Sequence, residues 1–269
     1  MSKPSDKATA KKFDTVKLTQ NGLVAKIELS RPDALNSFNR QMRRELLLAL
    51  QAVNEDEQIR AVIVSGAGKG FSAGADLKET LPEGQTVQQR LEQEYKPCLV
   101  EIANSPKPFI ASVKGPAAGI GAAFVLACDL VVMSRSAYLL QAFSAIGLVP
   151  DGGMSWQLFH QLGAKWAYEI IALGEKLPAE KCLQLGLANR ISEDEKLEME
   201  TEELARQLVK RAPLSLTHSK KLIHQMSMLS FEQAISLEAQ TQMITNTSED
   251  HAEGKRAFLE KRTPQWKGR

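Results

Sequence analysis

Residues 108–129 read PFIASVKGPAAGIGAAFVLACD, with an apolar run on each side of a glycine-rich centre. The apolar run Phe109–Val113 predicts a buried strand. A glycine turn, Gly115–Gly121, follows it, and the apolar residues Ala122–Cys128 predict a helix. Unpaired backbone N–H groups at such a helix N-terminus, with the helix dipole behind them, form a pocket for a developing negative charge. On glycine spacing alone, close packing of helix against strand is the simpler explanation.

A lone acid lies downstream of this turn. Leu130–Met133 predicts another strand, and the segment Gln141–Gly153 then places Asp151 among apolar residues and glycines. The turn itself is neither a Walker nor a Rossmann fingerprint, because no Gly-Lys-Ser/Thr follows it and no acidic partner is correctly placed. A function for this turn therefore requires a second segment elsewhere in the chain that lies beside it.

The composition excludes several classes of function. The 269 residues are 43% hydrophobic and 25% charged, with a net charge of +2, which argues against nucleic acid or membrane as a main partner. No apolar run approaches the ~20 residues that span a bilayer, and the apolar core of a signal peptide is missing. We therefore expect a cytoplasmic bacterial-type enzyme or an organelle-matrix protein. The polar, lysine-rich residues 1–12 are predicted to form a disordered leader.

Cysteine and histidine residues show no metal-binding pattern, so no metal is predicted. Cys98, Cys128 and Cys182 are odd in number and lie in apolar surroundings, which predicts reduced, buried thiols. The four histidines also lack ligand spacing. His218 and the pair Lys220–Lys221 are expected on a solvated helix face.

A second glycine turn lies in the N-terminal half. Alternating segments on either side of Asn21-Gly22 predict a hairpin, and Ser37 is the predicted N-cap of the next helix. The buried run Ala61–Gly66 then ends in the glycine-rich turn Gly68–Lys78. The chain thus repeats a unit of strand, glycine turn and helix. One N–H donor from each turn can converge on a single carbonyl oxygen, which is the geometry of an oxyanion hole.

Together the two turns resemble those of the crotonase superfamily, the enoyl-CoA hydratase/isomerase family. The resemblance rests on FSAGADLK at residues 71–78, paired with GPAAGIGAA and the later Cys-Asp within residues 115–129, and it extends from about Val16 to the end. It implies an α/β fold, a crotonase-like spiral of repeated ββα units with a C-terminal helical trimerisation region. We place the leader at 1–12, the spiral core at 13–191 and the C-terminal helical region at 192–269.

The resemblance also implies which residues bind the substrate, an acyl-CoA thioester. The backbone amides of Ala75 and Ile120 match the oxyanion hole, and a donor there lowers the cost of a carbanion beside the thioester carbonyl. Coenzyme A enters only as part of the substrate, and no other cofactor is implied. The residues expected along the CoA and acyl chain are Ala34, Ala73, Asp76, Leu77, Lys78, Gly121, Phe143, Phe258 and Lys261. A solvated surface position is the alternative for Lys78.

Two departures from the family pattern argue against simple hydratase activity. The family's hydratases place two glutamates over the substrate, and Ala123 and Phe143 occupy the matching positions here. Neither side chain can activate water. Asp151 instead matches the single acid of the family's Δ3,Δ2-enoyl-CoA isomerases and of the ring-opening isomerases of phenylacetate degradation. Residues 142–151 and 253–262 are most similar to the latter group.

Asp151 is therefore the predicted acid/base of an acyl-CoA isomerase, which shifts a double bond from Δ3 to Δ2 or catalyses a related ring opening. Apolar walls raise the pKa of a carboxylate toward the range that is useful near neutral pH, and one base suffices for a 1,3-proton shift. A helix cap near Ser155 is the alternative role for Asp151. Two other functions stay open: a non-catalytic acyl-CoA-binding homologue, and a thioester hydrolase or dehalogenase-like enzyme with Asp151 as nucleophile.

The C-terminal part of the sequence is predominantly helical in pattern. The predicted helices are Met154–Ile171, Leu197–Arg211, Leu214–Met228 and Phe231–Ile244, with a short strand at Gly186–Ile191. The aromatic residues Trp156, Phe159, Trp166 and Tyr168 are expected in the core or in a subunit contact. Glu232, Glu238 and Asp250 are expected to be solvated. The family habit predicts a homotrimer or homohexamer, and the loop Leu81–Glu94 is expected to shape the acyl pocket.

Overall fold

A computed structural model describes residues 13–269, and the predicted leader at 1–12 lies outside the described residues. Two sheets organise the chain. The strands are β1 Val16–Asn21, β2 Val24–Leu29, β3 Ala61–Gly66, β4 Phe109–Val113, β5 Pro116–Ala118, β6 Leu130–Ser134, β7 Tyr138–Leu140, β8 Lys176–Pro178 and β9 Arg190–Ser192. The larger sheet has the order β1-β2-β3-β4-β6-β9, and β5-β7-β8 form the smaller one. Apart from the antiparallel pair β1-β2, the larger sheet is parallel.

The larger sheet is buried on both faces, as expected for parallel strands. Alternate residues of β3 point to opposite sides. Val62 and Val64 belong to the main core, whereas Ala61 and Ile63 pack in a second cluster that includes Leu204. This two-sided burial explains why Ala61–Val64 are apolar at consecutive positions rather than alternating with polar residues.

The hairpin predicted around Asn21-Gly22 is present, with Gly22 at a φ of +59°. The three strands of the smaller sheet were not predicted. Each has only three residues, which is too short for a recognisable period.

Helices cover both faces of the larger sheet and extend the chain beyond it. They are α1 Arg40–Glu55, α2 Val87–Arg90, α3 Lys96–Ala103, α4 Ile120–Ala127, α5 Met154–Leu173, α6 Ala179–Gln184, α7 Leu197–Val209, α8 Pro213–Met226, α9 Phe231–Asn246 and α10 Glu249–Leu259. A single π-helical turn, Leu91–Tyr95, joins α2 to α3. The predicted loop Leu81–Glu94 is therefore helical from Val87 onward.

The N-cap prediction for α1 was wrong by two residues. Asn39, not Ser37, caps the helix, and its side chain accepts a hydrogen bond from the Met42 amide at 2.9 Å. Ser37 is buried and its carbonyl oxygen instead accepts a hydrogen bond from Arg31. Both residues have good capping chemistry, so the sequence alone does not separate them.

The C-terminal helices differ in how they attach to the sheet. Helix α7 packs across β3, β4 and β6, so the region 192–269 contributes directly to the covering of the sheet. Helix α8 is held by Lys220, which was wrongly predicted to be solvated. Lys220 is buried and pairs with Asp129 at 2.9 Å while also donating to the Ile102 carbonyl at 2.8 Å.

Asp250 was also wrongly predicted to be solvated. It is 2% exposed, and its carboxylate accepts hydrogen bonds from the amides of Lys267 and Gly268 at 2.6 and 3.0 Å. The C-terminal tail thus folds back on α10. Within residues 13–269, no helix combines the length and apolar character needed to cross a membrane.

Candidate active site

The two glycine turns meet at one edge of the larger sheet. They follow the neighbouring parallel strands β3 and β4, whose carboxyl ends share that edge. The Ser72 amide donates to the Pro116 carbonyl at 3.0 Å, and the Ala118 amide donates to the Ser72 carbonyl at 2.9 Å. The first turn is therefore hydrogen-bonded directly along the second.

Glycine is required at this contact because the backbones approach too closely for a side chain. A Cβ on Gly121 would lie 2.8 Å from the Cβ of Ser72, and one on Gly74 would lie 2.8 Å from the Ala118 carbonyl oxygen. Gly74 also has a φ of +94°. Close packing of the two turns thus explains the glycines. The same packing places Ala75, next to Gly74, and Ile120, next to Gly121, on segments that lie side by side.

The amides of Ala75 and Ile120 are available to a ligand. The amides of the residues before and after Ala75 are already hydrogen-bonded. The Gly74 amide donates to the Ser72 hydroxyl at 3.1 Å, and the Asp76 amide donates to the Phe38 carbonyl at 3.1 Å. Within residues 13–269, the amides of Ala75 and Ile120 have no hydrogen-bond acceptor. Ile120 is the first residue of α4, where unpaired amides and the helix dipole favour an oxyanion.

A buried asparagine that sequence reasoning missed fixes the loop beside the first turn. Asn36 is fully buried, and its side-chain amide donates to the carbonyls of Ala67 and Gly70 at 2.8 and 2.9 Å. Its φ of +54° is one that asparagine tolerates better than most residues. The only sequence signal was an asparagine in a polar turn, which is too common to single out.

The predicted CoA-binding residues near the first turn lie together. The Ala73 amide donates to the Leu35 carbonyl at 2.8 Å, which brings Ala73 beside the turn that contains Ala34. Asp76 pairs with Arg31 at 3.0 Å; its pKa lies below the ordinary value because hydrogen bonds from Arg31 and the Lys78 amide outweigh the effect of burial. The side chains of Leu77 and Lys78 are exposed.

Within residues 13–269, neither Phe258 nor Lys261 forms a hydrogen bond with the glycine turns. Phe258 is 84% exposed, and Lys261 is an exposed residue beyond the end of α10. The tail that follows packs elsewhere, where Arg60 at the start of β3 donates to the Trp266 carbonyl at 2.6 Å. That contact lies at the opposite end of the strand from the glycine turn.

Asp151 lies against the second turn. A Cβ on the next residue, Gly152, would overlap the Cδ1 atom of Ile120 and approach the Cβ of Ala123 to 3.0 Å and the Cδ1 of Leu99 to 3.3 Å. Gly152 has a φ of +62°, so both its conformation and its contacts require glycine. This close approach places the Asp151 backbone directly beside the first turn of α4.

The Asp151 carboxyl is in an unfavourable environment for an ionised acid. Burial raises its pKa to about 6, against the opposing effect of the nearby Arg90 guanidinium. Its Oδ1 atom is buried and, within the described chain, has no hydrogen-bond partner. The cap alternative finds no support, because Gly153 is the N-cap of α5 and no side chain caps that helix.

Comparisons with known proteins agree with this geometry. The family model described as "Enoyl-CoA hydratase/isomerase" matches residues 19–269. The chain belongs to the enoyl-CoA hydratase/isomerase family.

Two curated relatives cover nearly the whole chain. A 1,2-epoxyphenylacetyl-CoA isomerase of Escherichia coli is 36% identical over 91% of this chain and 95% of its own length. A probable enoyl-CoA hydratase of Rhodobacter capsulatus is 35% identical over 96% and 99%. A solved enoyl-CoA hydratase from Polaromonas sp. is 32% identical, with a TM-score of 0.87 over 94% of this chain and 99% of its own. The predicted crotonase-type fold is confirmed, and the activity class is an enoyl-CoA hydratase/isomerase-type transformation of acyl-CoA.

The positions where we expect the family's hydratase glutamates are apolar. Ala123 is fully buried under Gly152. Phe143 is 8% exposed, and its ring lies 3.6 Å from the position that a Cβ on Gly119 would occupy. Neither position holds a carboxylate, whereas Asp151 lies beside the second turn.

A buried ionic network that the sequence did not predict holds the loop after the first glycine turn. Arg43 is 2% exposed and pairs with Glu79 at 2.8 Å and Glu94 at 2.7 Å. It also lies 5.0 Å from the centre of the Tyr95 ring, and burial raises the pKa of Tyr95 to about 12. Arg43 therefore ties α1 to the loop after the first glycine turn and to the π-helical turn.

The three cysteines are free and buried, as predicted. Among residues 13–269, no group of three His, Cys, Asp or Glu side chains has an arrangement that could hold a metal ion.

Proposed function

We propose that this protein is an acyl-CoA isomerase that moves a double bond from Δ3 to Δ2, or catalyses a related ring-opening isomerisation, with Asp151 as the acid/base. The observation that carries the proposal is the Asp151 carboxyl, which directly precedes the contact of Gly152 with Ile120, has a pKa raised to about 6 by burial, and leaves one buried oxygen unpaired. A carboxyl with these properties is mostly ionised near neutral pH and more basic than an ordinary aspartate, so it can accept a proton.

The proposed reaction is a single proton relay. Asp151 removes a proton from the carbon next to the thioester carbonyl, and the electron pair moves into that carbonyl. The Ala75 and Ile120 amides bind the resulting oxyanion, and each such donor stabilises it by about 3 kcal/mol. Asp151 then returns the proton to the far end of the former double bond. A proton shift neither oxidises nor reduces the substrate, so the proposal needs no redox cofactor.

The CoA portion would lie along the loop residues around the first turn. Ala34 and Ala73 adjoin one another there, and the exposed Lys78 can reach a phosphate. Phe258 and Lys261 would contribute from a neighbouring subunit, since within residues 13–269 they form no hydrogen bond with the glycine turns. The isomerase named among the relatives supports the choice of reaction without fixing the acyl group.

A spectroscopic assay tests the function. Incubation with trans-3-hexenoyl-CoA should raise the absorbance of the conjugated 2-enoyl thioester, whereas trans-2-hexenoyl-CoA should not be hydrated at a comparable rate. An acyl-CoA-binding homologue would bind the thioester in calorimetry but leave its spectrum unchanged. Release of free CoA instead of double-bond migration would indicate the hydrolase alternative.

A further inference from the structure

Phe38 holds the segment that carries the Ala75 amide. The Phe38 amide donates to the Gly74 carbonyl at 2.8 Å, and the Asp76 amide donates to the Phe38 carbonyl at 3.1 Å. The Gly74 carbonyl and the Ala75 N–H belong to one planar trans peptide, so they point in opposite directions. Because the carbonyl points at Phe38, the Ala75 N–H points away from it. The pairing with Phe38 therefore sets the direction of this donor.

Phe38 is itself held at its backbone and at its ring. The Arg43 Nη1 atom donates to the Phe38 carbonyl oxygen at 3.0 Å, beside the hydrogen bond from Asp76. The Phe38 ring is fully buried and stacks on Phe124 of α4, with ring centres 4.8 Å apart. Helix α4 begins with Ile120, so Phe38 connects the segments of both oxyanion donors.

Arg43 also binds the chain beyond the Ala75 donor. The same Nη1 atom donates to Glu79 Oε2 at 2.8 Å, and the Glu79 amide donates to the Asp76 carbonyl at 3.0 Å. One guanidinium nitrogen thus contacts both the Phe38 carbonyl, which accepts from Asp76, and the turn that begins at Asp76. A shift of this nitrogen would therefore be transmitted to the peptide next to Ala75.

The direction of Nη1 is fixed from the opposite side of the guanidinium. The Nε and Nη2 atoms of Arg43 donate to Glu94 at 2.8 and 2.7 Å, a two-bond contact with defined geometry. Since the guanidinium is planar, fixing two of its nitrogens fixes the third. Glu94 lies in the π-helical turn, so that turn orients Arg43 toward Phe38.

We propose that Arg43 is a positioning residue for the reaction: through the Phe38 carbonyl and Glu79, it sets the orientation of the Ala75 amide toward the thioester oxygen. The inference rests on the proposed acyl-CoA function and adds a residue that acts through its neighbours. The alternative is that the Arg43 network only stabilises the fold. Positioning predicts a change at the bound thioester carbonyl, whereas a purely stabilising role predicts less folded protein with an unchanged carbonyl environment.

The stretching frequency of the bound thioester carbonyl tests the assignment. Isotope-edited infrared spectroscopy follows hexanoyl-CoA labelled with ¹³C at that carbonyl, a saturated thioester that has no double bond to move. A hydrogen bond to the carbonyl oxygen lowers the frequency. The variant is Arg43→Gln, which removes the charge and the fork of donors.

Lys107→Met is the matched control. Lys107 is also a buried cation that donates to backbone carbonyls, those of Val53 and Asp56 at the far end of α1 from Arg43. It precedes β4, at the end of the sheet opposite to the glycine turns. Its loss should therefore lower stability without moving the Ala75 donor.

In the parent and in Lys107→Met, we expect one carbonyl band below the frequency of free hexanoyl-CoA in water. In Arg43→Gln the band should move back toward the free value. Turnover of trans-3-hexenoyl-CoA should fall by ~10²-fold, mainly in kcat, since a misplacement of about 1 Å has an effect of that size. An unchanged band in folded Arg43→Gln, or an equal shift in Lys107→Met, would overturn the proposal.

Glu79→Gln is the second variant, to be used if Arg43→Gln does not fold. One Glu79 oxygen accepts from the Arg40 amide while the other accepts from Arg43. Glutamine has a single acceptor oxygen and cannot keep both contacts in place. The carbonyl band should shift in the same direction by a smaller amount, and an unchanged band would again contradict the assignment.

The outcome is separable from the fate of the proposed function. A shifted band in Arg43→Gln, in a protein whose parent does not isomerise trans-3-hexenoyl-CoA, would refute the isomerase proposal and keep the Arg43 assignment. Isomerisation by the parent with an unchanged band in the variant would do the reverse. A parent that does not lower the frequency of hexanoyl-CoA would overturn both the assignment and the oxyanion step of the proposed reaction.

Discussion

Asp151 shows how one residue links stability to chemistry. Its carboxyl has a pKa of about 6 against an ordinary 3.8, because burial disfavours the charge. The unfolded chain therefore binds fewer protons than the folded one between these two values, and the free energy of unfolding falls as pH rises through this window. Above it, the ionised carboxylate destabilises the fold.

Asp151→Asn should consequently stabilise the protein well above pH 6. We expect a gain of about 1–2 kcal/mol after allowance for partial solvent screening, since one pKa unit corresponds to about 1.4 kcal/mol. Chemical denaturation on both sides of the window measures the effect, and the gain should shrink below pH 4. An unchanged free energy of unfolding at high pH would mean that the carboxylate is not destabilised by burial.

The same residue sets the pH dependence of turnover. The base must be ionised, so we expect kcat/KM to fall as pH drops through about 6. Arg90 favours the ionised form, and its replacement by Met should move this limb to higher pH. Rates for trans-3-hexenoyl-CoA across the range measure the shift. A limb that stays near pH 4 in both proteins would exclude Asp151 as the titrating group.

At the level of elements, the two strand–turn–helix units create the site by packing against each other. The turn at Gly119 combines a φ of +51° with a ψ of −127°, a conformation that is essentially restricted to glycine. Because the Ile120 amide follows directly, the direction of this peptide decides where the donor points.

Gly119→Val should therefore weaken acyl-CoA binding by about 10-fold or more, roughly the value of one lost hydrogen bond. Gly186→Val is the control: its φ is +78° and a Cβ there meets nothing within 4 Å, so it carries similar backbone strain away from the site. Both variants should lose stability, but only Gly119→Val should lose affinity in calorimetry. Equal affinities of the two variants for acyl-CoA would show that the Gly119 turn does not contribute to binding.

The elements that the sequence predicted well are those with a strong local signal. The runs at Phe109–Val113 and Ala61–Gly66 are apolar apart from one serine each, because both faces of their sheet are covered. The helix from Val87 was missed because its first turn is polar and partly exposed. Lys220 and Asp250 were misassigned because their partners are distant in sequence, and only tertiary contacts bury them.

The residues of the candidate site also differ in how strong a signal they leave in the sequence. The glycine turns and Asp151 could be found from the sequence, since glycine and a lone acid stand out in apolar surroundings. Asn36 and Arg43 could not, because each is a common polar residue whose role comes from burial. Whether the residues assigned to CoA contact it stays a prediction.

The aromatic residues of α5 were expected in the core or in a subunit contact, and all four, including Trp166 at 38%, are exposed in this chain. Trp156, Phe159 and Tyr168 are 58%, 54% and 75% exposed, and Met228 and Phe231 near the start of α9 are 74% and 84% exposed. Large apolar side chains exposed in this number favour a subunit contact. We expect a trimer or a dimer of trimers.

Sedimentation at micromolar concentration tests the assembly. The parent should sediment as a trimer or hexamer, and Tyr168→Glu should shift it toward smaller species because a charge would be buried in the contact. Lys17→Glu, on the exposed edge strand β1, should have no such effect. A parent that sediments only as a monomer would contradict the assembly and the shared CoA site.

The most direct test of the whole account is Asp151→Asn assayed for double-bond migration, with deuterium exchange at the carbon next to the thioester carbonyl followed in parallel. Asn keeps the size and removes the basicity, so turnover and exchange should both fall by ~10²- to 10⁴-fold while acyl-CoA binding persists. Near-native turnover and exchange in this variant, on a substrate that the parent isomerises, would show that the base lies elsewhere.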